Sequence, residues 1–504
     1  MLPKRWDFVS KLAPVFPARS DQIKLLSQPN EFYSELLGRI QNAKTRIVLT
    51  SLYMGTGPLE EKLVQTLQST LLNNQAVNVR ILLDANRGTR GEINSQTLLT
   101  PIVSQFSQHC NVAFYHTPDL RWPLSSLLPH RYNELVGLQH MKFYLIDNSV
   151  IITGANLSSD YFTNRQDRYI LIEDHRQLSD FFDDLSRVLS KISFQLRPNG
   201  ISGEAPSSQS SGIIHYQNLE GTPSSSRSPI SRSEGAPSSS PGGSLSSSLV
   251  MSKEFESLSP VSPTKRDEYV ERSRSLVMEM YNSYRNKQEP QPSDAGPPNT
   301  WLAPLIECPP LSIAIDSTVT KQVIHHALDG SSLHLGTGYF NLTQDYVRVI
   351  LAKPSVQYSV LMAHPTANGF LNARGVAGGI PYAYTALAAQ FLSQVSALKL
   401  SMFEYIRKGW TYHAKGLWYA DRSDDPPILT LIGSSNFGER SVRRDLECSL
   451  LILSEDVTLH TRLEQEKRSL FESSEAFTLD TARRADRKPP LWVQGVLALF
   501  RYYF

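Results

Sequence analysis

Residues 140–156 read HMKFYLIDNSVIITGAN, and this stretch decides the fold. A related stretch begins at residue 413 and reads HAKGLWYADRSDDPPILTLIGSSN. In the first copy, apolar residues alternate on both sides of Asp147 and Asn148, which predicts a β-hairpin with its turn at these two residues. His140 and Lys142 are two positions apart, so on a strand they point to the same face. Repetition of such a long pattern predicts two copies of one folding unit.

The spacing of polar residues extends the match between the two copies. Asp167 lies 11 positions after Asn156, and Glu447 likewise lies 11 positions after Asn436. The distance from histidine to asparagine is 16 positions in the first copy and 23 in the second, so seven extra residues lie inside the second hairpin, around DRSDDPP. We expect Asp167 and Glu447 each to accept a hydrogen bond from a catalytic imidazole and to fix its tautomer.

Both halves of the chain have alternating strand and helix signals. The short β-branched runs RIVLTSLYM and VNVRILLDA flank PLEEKLVQTLQSTLLN, whose apolar residues recur at helical spacing. This β-α-β pattern predicts an α/β fold with a largely parallel sheet. SSLHLGTGYF and YSVLMAHPTANGF stand in the corresponding places of the second half, which indicates duplication.

Composition predicts the domain boundaries. From about residue 199 to 265 the sequence is rich in serine, proline and glycine, and it cannot bury enough apolar surface to offset its ordering entropy. We therefore predict an N-terminal half (1–198), a disordered insertion (199–265), a C-terminal half (266–488) and an apolar tail (489–504). RDEYVERSRSLVMEMYNSYRNK, after the insertion, reads as an amphipathic helix that caps the second half.

Overall charge and cysteine content exclude several classes of function. Lysine and arginine total 50 against 48 acids, so there is no general electrostatic reason to expect nucleic-acid binding. Cys110, Cys308 and Cys448 are scattered without metal-ligand spacing, and no Asp-rich cluster appears, so we expect no disulfide framework and no metal site. No window approaches the roughly 18 to 20 apolar residues that a membrane-spanning helix requires.

Both termini carry basic and apolar residues. In the first twenty residues, cations interleave with aromatic side chains as in a mitochondrial presequence, and a solvated basic terminus explains the pattern equally well. The C-terminal RRADRKPPLWVQGVLALFRYYF places cations before aromatic and aliphatic residues, which suits an interfacial anchor on an anionic membrane. The alternative for this tail is a helix packed on the protein or a contact between subunits.

The two motifs carry a family resemblance. HMKFYLID fits the HxKxxxxD signature of the phospholipase D superfamily, and HAK with GSSN fits its second copy. The resemblance implies two similar α-β-α halves with the active site at their interface, and a phosphohistidine intermediate. The second copy departs from the signature, because Ala420 stands where an aspartate is expected and Asp421 comes one residue late on a strand.

Longer strings resemble the phosphatidylglycerophosphate synthases within this superfamily: LLDANRGTRG, RYNELVGLQHMK, GANLSSDYFTNRQDRY, ANGFLNARGVAGGIPYAYTAL, KGWTYHAKGLW and LIGSSNFGERSVRRDLE. The implied substrates are CDP-diacylglycerol and glycerol 3-phosphate, with transfer of a phosphatidyl group and release of CMP. A mitochondrial location is also implied, peripheral on the matrix side of the inner membrane, and homo-oligomerisation stays open. A hydrolase of the same superfamily is the alternative; a nuclease or an inactive scaffold fits less well.

The resemblance assigns roles to the matched residues. We expect His140 to be the nucleophile and His413 the acid and base, while lysines and asparagines hold the phosphoryl oxygens. The predicted catalytic set is His140, Lys142, Asp147, Asn156, Asp167, His413, Lys415, Asn436 and Glu447, with a structural role as the alternative for Asp147. The chemistry requires no cofactor, and stimulation by a divalent cation stays open.

Both implied substrates bring additional phosphates, which the planar guanidinium of arginine can bind with two hydrogen bonds. We expect arginines near the site for this reason, and a surface salt bridge is the alternative for each. Arg168 and Arg444 are the preferred pair because they neighbour the expected orienting acids. The full set of candidates is Arg87, Arg90, Arg165, Arg168, Arg440, Arg443 and Arg444.

Overall fold

The computed structural model describes residues 2–121, 133–199, 246–287, 296–371, 378–395, 397–488 and 492–493. Numbered along this part of the chain, the first strands are β1 (Phe16–Ala18), β2 (Ile23–Leu26), β3 (Arg46–Thr50), β4 (Asn78–Asp84), β5 (Cys110–Tyr115), β6 (Phe143–Ile146), β7 (Ser149–Thr153), β8 (Arg165–Gln166), β9 (Tyr169–Ile172), β10 (Phe194–Pro198) and β11 (Ser247–Met251). The remaining strands are β12 (Thr300–Cys308), β13 (Ile313–Ala314), β14 (Ser332–Thr337), β15 (Gln357–Ala363), β16 (Leu400–Tyr405), β17 (Thr411–Tyr412), β18 (Gly416–Ala420), β19 (Leu429–Gly433), β20 (Glu447–Ser454) and β21 (Ser474–Phe477).

Helices connect these strands and cover the sheets. In the first half the α-helices are Phe8–Leu12, Pro29–Gln41, Pro58–Asn73, Ala85–Gly88, Ser95–Gln105, Ser159–Thr163 and Arg176–Lys191. After the insertion they are Arg266–Asn286, Ile315–His325, Gln344–Leu351, Ile380–Gln394, Glu439–Arg443, Val457–Glu472 and Leu479–Arg483.

Two large sheets repeat one strand order. The first runs β11-β10-β5-β4-β3-β6-β7-β9-β2, and the second runs β21-β16-β15-β14-β18-β19-β20-β12-β1. Read from β10 and from β21, eight strands of the two sheets correspond in order, with β11 and β1 as additional edge strands, so the predicted duplication and the α/β fold class are confirmed. Strand interiors are apolar and buried, as in β7 and β20, which explains why their sequences read as short continuous hydrophobic runs.

The parallel part of each sheet is smaller than predicted. Only β3-β4-β5 and β14-β15-β16 pair in parallel within the two sheets, and these are the strands joined through helices. The neighbouring strands β6, β7 and β9 pair antiparallel, as do β18, β19 and β20. The two-residue turn between β6 and β7 and the eight residues between β18 and β19 allow only antiparallel pairing, because a parallel crossover needs a dozen or more residues. The expectation of a largely parallel sheet was therefore wrong outside the β-α-β part.

The two hairpins form where the sequence predicts them. Ile146 pairs with Ser149 across the turn of Asp147 and Asn148, and Asp147 has φ of 52°. In the second half, residues 421–428 take the place of this two-residue turn, between β18 and β19. Asp421, the displaced aspartate of the second motif, forms a salt bridge with Arg5. The side chain of Asp421 therefore binds the N-terminal segment of the chain.

The predicted domain boundaries need correction. Residues 247–251, placed in the disordered insertion, form β11 and pair antiparallel with β10 of the first sheet. Leu249 and Met251 are buried in this strand while its serines are partly exposed, so the Ser-rich composition concealed a strand pattern. Helix Arg266–Asn286 does not only cap the second half, because the Tyr269 hydroxyl donates to Ile192 O in the first half and the Tyr281 hydroxyl donates to Pro304 O in the second.

The N-terminal segment belongs to the second sheet. Strand β1 pairs with β12, and Trp6 and Val9 are buried in the core. Trp6 packs edge-on against Tyr419 of β18. Cleavage of the first twenty residues as a presequence would remove this buried surface, so the packing favours their retention in the folded protein.

Three sequence predictions fall on residues outside the described ranges. These are the insertion from 200 to 245, residues 372–377 of the string ANGFLNARGVAGGIPYAYTAL, and the tail at 489–491 and 494–504. Within the described part of the chain, the helices lack the length and apolar character that crossing a membrane requires.

Candidate active site

The two histidine segments are held by backbone pairing between the halves. His140 N donates to Leu446 O, and Leu446 N donates to Leu138 O, both at 2.8 Å. The same arrangement occurs on the other side of the site, where β17 runs parallel to β8 and His413 N donates to Gln166 O at 2.8 Å. Each histidine-bearing segment therefore lies beside the acid-bearing segment of the opposite half.

Each imidazole contacts the acid of the other half. His140 Nδ1 lies 2.9 Å from Glu447 Oε2, and His413 Nδ1 lies 2.7 Å from Asp167 Oδ2. An ionised carboxylate accepts from Nδ1–H, which fixes the tautomer and leaves the Nε2 lone pair for chemistry. These are the acids that the spacing singled out, and the sequence did not reveal that each pair crosses between the halves.

The two lysines are buried beside the imidazoles. Lys415 Nζ lies 2.8 Å from Nδ1 and 3.0 Å from Nε2 of His413 and donates to His413 O at 2.9 Å. Lys142 is 1% exposed, and its Nζ finds no hydrogen-bond partner among the described residues. A buried ammonium without a partner is costly, so this group is suited to bind an anion in the site.

The two asparagines follow the second strand of each hairpin. Asn156 is buried, and its Oδ1 has no hydrogen-bond partner within the described part of the chain. Asn436 is tied to its surroundings, because its amide oxygen accepts from Thr337 Oγ1 at 3.1 Å and its backbone N–H donates to Ser441 Oγ. Ser441 Oγ in turn donates to Glu447 Oε1 at 2.7 Å. The second asparagine thus belongs to the network that orients His140.

Burial controls the protonation of the site. It lowers the pKa of both imidazoles well below 6.5, and neighbouring lysines lower it further. Burial raises the pKa of Glu447 to about 7 and that of Asp167 to about 6, against the opposing charges of Lys142 and Lys415. It also lowers the pKa of Lys415 to about 8. Neutral imidazoles with available lone pairs result near neutral pH.

The charges of the two halves act on one another. Lys415 contributes to the lowered pKa of His140, and His140 contributes to that of His413. Lys142 opposes the raised pKa of both Asp167 and Glu447. The residues of the two motifs therefore form one site between the halves.

Comparison with known proteins agrees with this arrangement. Residues 36–189 match the family described as cardiolipin synthase, PLD-like domain. The mitochondrial CDP-diacylglycerol-glycerol-3-phosphate 3-phosphatidyltransferase of Homo sapiens is 38% identical over 99% of this chain and 86% of its own. The enzyme of that name in Schizosaccharomyces pombe is 32% identical, covering 98% and 96%. The chain belongs to the CDP-diacylglycerol-glycerol-3-phosphate 3-phosphatidyltransferase family.

A solved structure supports the fold of this phosphatidyltransferase family member. The crystal structure of a phosphatidylserine synthase from Haemophilus influenzae superimposes with a TM-score of 0.66 at 18% identity, covering 99% of this chain and 96% of that chain. The family match described as a PLD-like domain, together with this shared fold, confirms the resemblance to the phospholipase D superfamily that the two motifs carry.

Asp147, included in the predicted catalytic set, lies outside this site of the phosphatidyltransferase. Its carboxylate accepts from Lys44 N at 2.9 Å and from both Thr45 N and Thr45 Oγ1 at 2.8 Å. Asp147 sits at the turn of the hairpin, at the opposite end of β6 from His140. Placing it among the catalytic residues was wrong, and the structural alternative fits, because the residue joins the turn to the chain before β3.

Arg168 was predicted, with Arg444, as a preferred substrate ligand. In the structure its guanidinium binds residues of the second half. Nε and Nη2 donate to Glu466 at 2.8 Å, Nη1 donates to Leu431 O at 2.9 Å, and Nη2 also donates to Thr430 Oγ1. The guanidinium stacks on Trp418 at 3.9 Å. Its donors are engaged in joining the two halves, so the substrate-binding assignment was wrong.

Two other predicted arginines border the catalytic residues. Arg165 Nε donates to Thr411 Oγ1 at 3.0 Å, and its guanidinium lies 4.7 Å from the ring centre of Tyr161. Arg440 Nε donates to Asp445 Oδ2 at 2.9 Å, and Nη2 donates to Glu134 O. The charge of Arg440 lowers the pKa of His140, and the charge of Arg165 lowers the pKa of His413.

The other predicted arginines make different contacts. Arg90 forms a salt bridge with Glu134 at 2.6 Å, and Arg87 lies over the ring of Tyr53 at 4.6 Å. Arg443 forms a salt bridge with Glu439. Arg444 follows helix Glu439–Arg443 and donates its backbone N–H to Arg440 O.

Several residues of the site were not predicted. The Tyr161 hydroxyl lies 3.3 Å from His413 Nε2, and Tyr339 packs edge-on against the same imidazole. Asp445 and Ser441 lie beside the other imidazole-carboxylate pair, His140 and Glu447. A signal was available, because Tyr161 and Ser441 both precede their acids by six positions and occupy equivalent places.

His140, Asp445 and Glu447 bring ligand atoms within 4.8 Å of one another, as a metal site would. The acids already have cationic neighbours, since Arg440 binds Asp445 and Lys142 interacts with Glu447. A divalent ion here would meet Lys142 and Lys415 at close range and would occupy the imidazole that the chemistry requires. The donor set therefore fits an orienting network better than a resident metal ion.

Proposed function

We propose that this protein transfers the phosphatidyl group of CDP-diacylglycerol to sn-glycerol 3-phosphate, giving phosphatidylglycerophosphate and CMP. The observation that carries the proposal is the pair of imidazole-carboxylate contacts across the two halves, in a chain whose relatives bear the name of this activity. One buried and one mostly buried imidazole, both with fixed tautomers, suit a double displacement in which one attacks phosphorus and the other moves protons.

His140 attacks the phosphorus that bears the diacylglycerol, and His413 protonates the departing CMP. The pyrophosphate of the bound substrate raises the pKa of the neighbouring imidazole, so His413 carries a proton in the complex although burial lowers its pKa in the free protein. After CMP leaves, neutral His413 takes the proton of the glycerol hydroxyl, whose oxygen displaces His140 from phosphorus. The phosphohistidine formed between these steps explains why the site needs two histidines.

The buried cations and amides stabilise the negative charge that develops on phosphorus oxygens. Lys142 Nζ has no hydrogen-bond partner among the described residues, and Lys415 Nζ lies against His413. Preorganised donors of this kind act strongly in a site with little solvent. They supply positive charge at the place where a metal ion would act in other phosphoryl transferases, so we propose that the reaction needs no cofactor.

Arg165 and Arg440 are our candidates for the additional phosphates of the two substrates. They lie on opposite sides of the site, one beside His413 and the other beside the His140 pair. Guanidinium groups bind phosphate with two parallel hydrogen bonds, which lysine cannot do. Arg87 and Arg90 have weaker support, because both contact Glu134.

A hydrolase differs from a transferase only in the acceptor of the phosphatidyl group. The side chain of His413 is 4% exposed and that of His140 is 13% exposed, so water has limited access to the reacting groups. Incubation with labelled CDP-diacylglycerol, with and without glycerol 3-phosphate, tests the proposal. We expect phosphatidylglycerophosphate to form only with the acceptor, and CMP release to continue beyond one equivalent per enzyme only with it; equal formation of phosphatidic acid in both cases would indicate a hydrolase.

We propose that the protein works as a peripheral membrane enzyme of the mitochondrion, on the matrix side of the inner membrane. Val493 is buried, while Trp492 beside it is 47% exposed, and both pack so closely on Gly379 that a Cβ there would clash. A half-exposed indole that follows a basic stretch of the sequence suits the interface of an anionic membrane. Trp492→Ala and a deletion of 489–504 are expected to reduce co-sedimentation with anionic vesicles, with neutral vesicles as control; undiminished binding would exclude this anchor.

A further inference from the structure

The two sides of the site match in histidine, lysine and asparagine, and among the equivalent positions that differ, one pair exchanges an acid for a cation. Asp445 lies two positions before Glu447, and Arg165 lies two positions before Asp167. Both positions belong to the segments that pair across the halves. The duplication has thus placed an acid beside one imidazole and a cation beside the other.

Asp445 is buried and held in place beside His140. Its Oδ1 accepts from Leu138 N at 2.9 Å, and its Oδ2 accepts from Arg440 Nε at 2.9 Å. Ligand atoms of His140, Asp445 and Glu447 all lie within 4.8 Å of one another. The imidazole of His140 therefore faces two carboxylates, of which only Glu447 accepts from its Nδ1.

His413 has a different set of neighbours. Asp167 is the carboxylate that contacts it, and Lys415 lies within 3.0 Å of both ring nitrogens. Arg165 acts on the same imidazole through space, beside Tyr161. Around His413 the cations Lys415, Arg165 and Lys142 are opposed by one acid, Asp167. Around His140 the cations Lys142, Lys415 and Arg440 are opposed by two acids, Glu447 and Asp445.

This difference matters once a covalent bond to phosphorus forms. The Nε2 lone pair of His140 makes the new N–P bond, and the P–O bond to CMP breaks with its electron pair on oxygen, which takes the proton of His413 Nε2. Nδ1–H of His140 stays hydrogen-bonded to Glu447 throughout. The ring of His140 therefore changes from neutral to cationic while His413 changes from cationic to neutral.

We propose that Asp445 is a positioning residue that stabilises the cationic ring of His140 in the phosphohistidine intermediate, and that the exchange of aspartate for arginine at this position assigns the nucleophilic role to His140. The inference rests on the proposed transferase mechanism. A carboxylate within 5 Å stabilises a cation far more in a buried site than in water. Arg165, at the equivalent position, disfavours a lasting cation on His413 and suits it to give up its proton.

Exchange of labelled CMP into CDP-diacylglycerol without glycerol 3-phosphate isolates the first half of the reaction, because it requires formation and reversal of the covalent intermediate. Two variants separate charge from shape: Asp445→Asn keeps an oxygen acceptor for Leu138 N without the charge, and Asp445→Glu keeps the charge with altered geometry. Both are assayed as full-length folded protein, checked by thermal unfolding. Mass spectrometry of the rapidly denatured enzyme gives the fraction of His140 that carries the phosphatidyl group at a fixed CMP concentration.

We expect Asp445→Asn to reduce the ratio of covalent to free enzyme about tenfold or more, the equivalent of one pKa unit, with KM for CDP-diacylglycerol little changed. Asp445→Glu is expected to retain more of the intermediate than Asp445→Asn. The reverse order, or an unchanged ratio in Asp445→Asn, would overturn the role of Asp445 while leaving the transferase mechanism in place. A wild-type protein that shows neither CMP exchange nor modified His140 would overturn both, and label on His413 would reverse the assignment.

Discussion

Asp167 Oδ2 lies 2.7 Å from His413 Nδ1, although the two residues are 246 positions apart and belong to different halves. The reciprocal contact joins His140 to Glu447. Each half therefore supplies a histidine and the acid that orients the histidine of its partner half. Neither half holds a complete imidazole-carboxylate pair. The site is therefore complete only when the two halves pack together.

Loss of the charge at Asp167 should impair catalysis more than binding. Asp167→Asn keeps the size of the side chain but can donate its amide to Nδ1, which favours the tautomer with the proton on Nε2. We expect kcat to fall roughly 10²- to 10⁴-fold with KM for either substrate little changed. Steady-state release of CMP at saturating glycerol 3-phosphate measures the effect.

Glu447→Gln is the matched variant on the other side of the site. Because Glu447 orients the proposed nucleophile, this change should reduce the first burst of CMP, whereas Asp167→Asn should also slow the step that consumes glycerol 3-phosphate. Equal kcat in wild type and both variants would show that the carboxylates do not orient the reacting imidazoles.

The pH dependence of kcat/KM should be bell-shaped, with both limbs near neutrality. Burial raises the pKa of Glu447 to about 7 and of Asp167 to about 6, so activity falls below this range as the acids take up protons. Burial lowers the pKa of Lys415 to about 8, so the charge on this lysine and the activity that depends on it are lost as pH rises through that value. A profile that is flat from pH 6 to 9 would contradict both assignments.

Asp147 should affect stability and leave catalysis intact. Its carboxylate accepts hydrogen bonds from backbone N–H groups of Lys44 and Thr45, and Asp147→Ala leaves them without this partner. The loss should lower the free energy of unfolding by about 1 to 3 kcal/mol with kcat unchanged. Asp147→Asn is the control, because it keeps one oxygen acceptor and tolerates the positive φ of the turn. A large fall in kcat in a folded Asp147→Ala protein would return the residue to the catalytic set.

The sequence was sufficient to predict the duplicated fold and most of the site residues. The patterns that identify them, alternation and spacing, each lie within one short stretch of the chain. Alternation around Asp147 predicts the hairpin, and equal spacing from the two asparagines identifies Asp167 and Glu447. Which acid meets which imidazole depends on how the halves pack, and no spacing within one half records that. Arg168 shows the same limit, since its place beside an orienting acid suggested a substrate ligand and its side chain instead points to the second half.

The position of Arg168 leads to a prediction about how the halves are held together. Its guanidinium is fully buried between Trp418 and Glu466 and donates to main-chain oxygen in the second half. Arg168→Met leaves the Glu466 carboxylate, which is 10% exposed, without its cation and with the hydrogen bond from Trp418 Nε1, so we expect a loss of about 3 to 5 kcal/mol in the free energy of unfolding. Arg168→Met combined with Glu466→Gln removes the uncompensated charge and should recover part of that loss, as denaturant unfolding of both variants would show. If the double variant is as unstable as the single one, the guanidinium acts through its main-chain contacts and its stacking on Trp418 and not through the ion pair. KM for CDP-diacylglycerol should stay near the wild-type value in any variant that remains folded, because the donors of Arg168 face the second sheet and not the substrate.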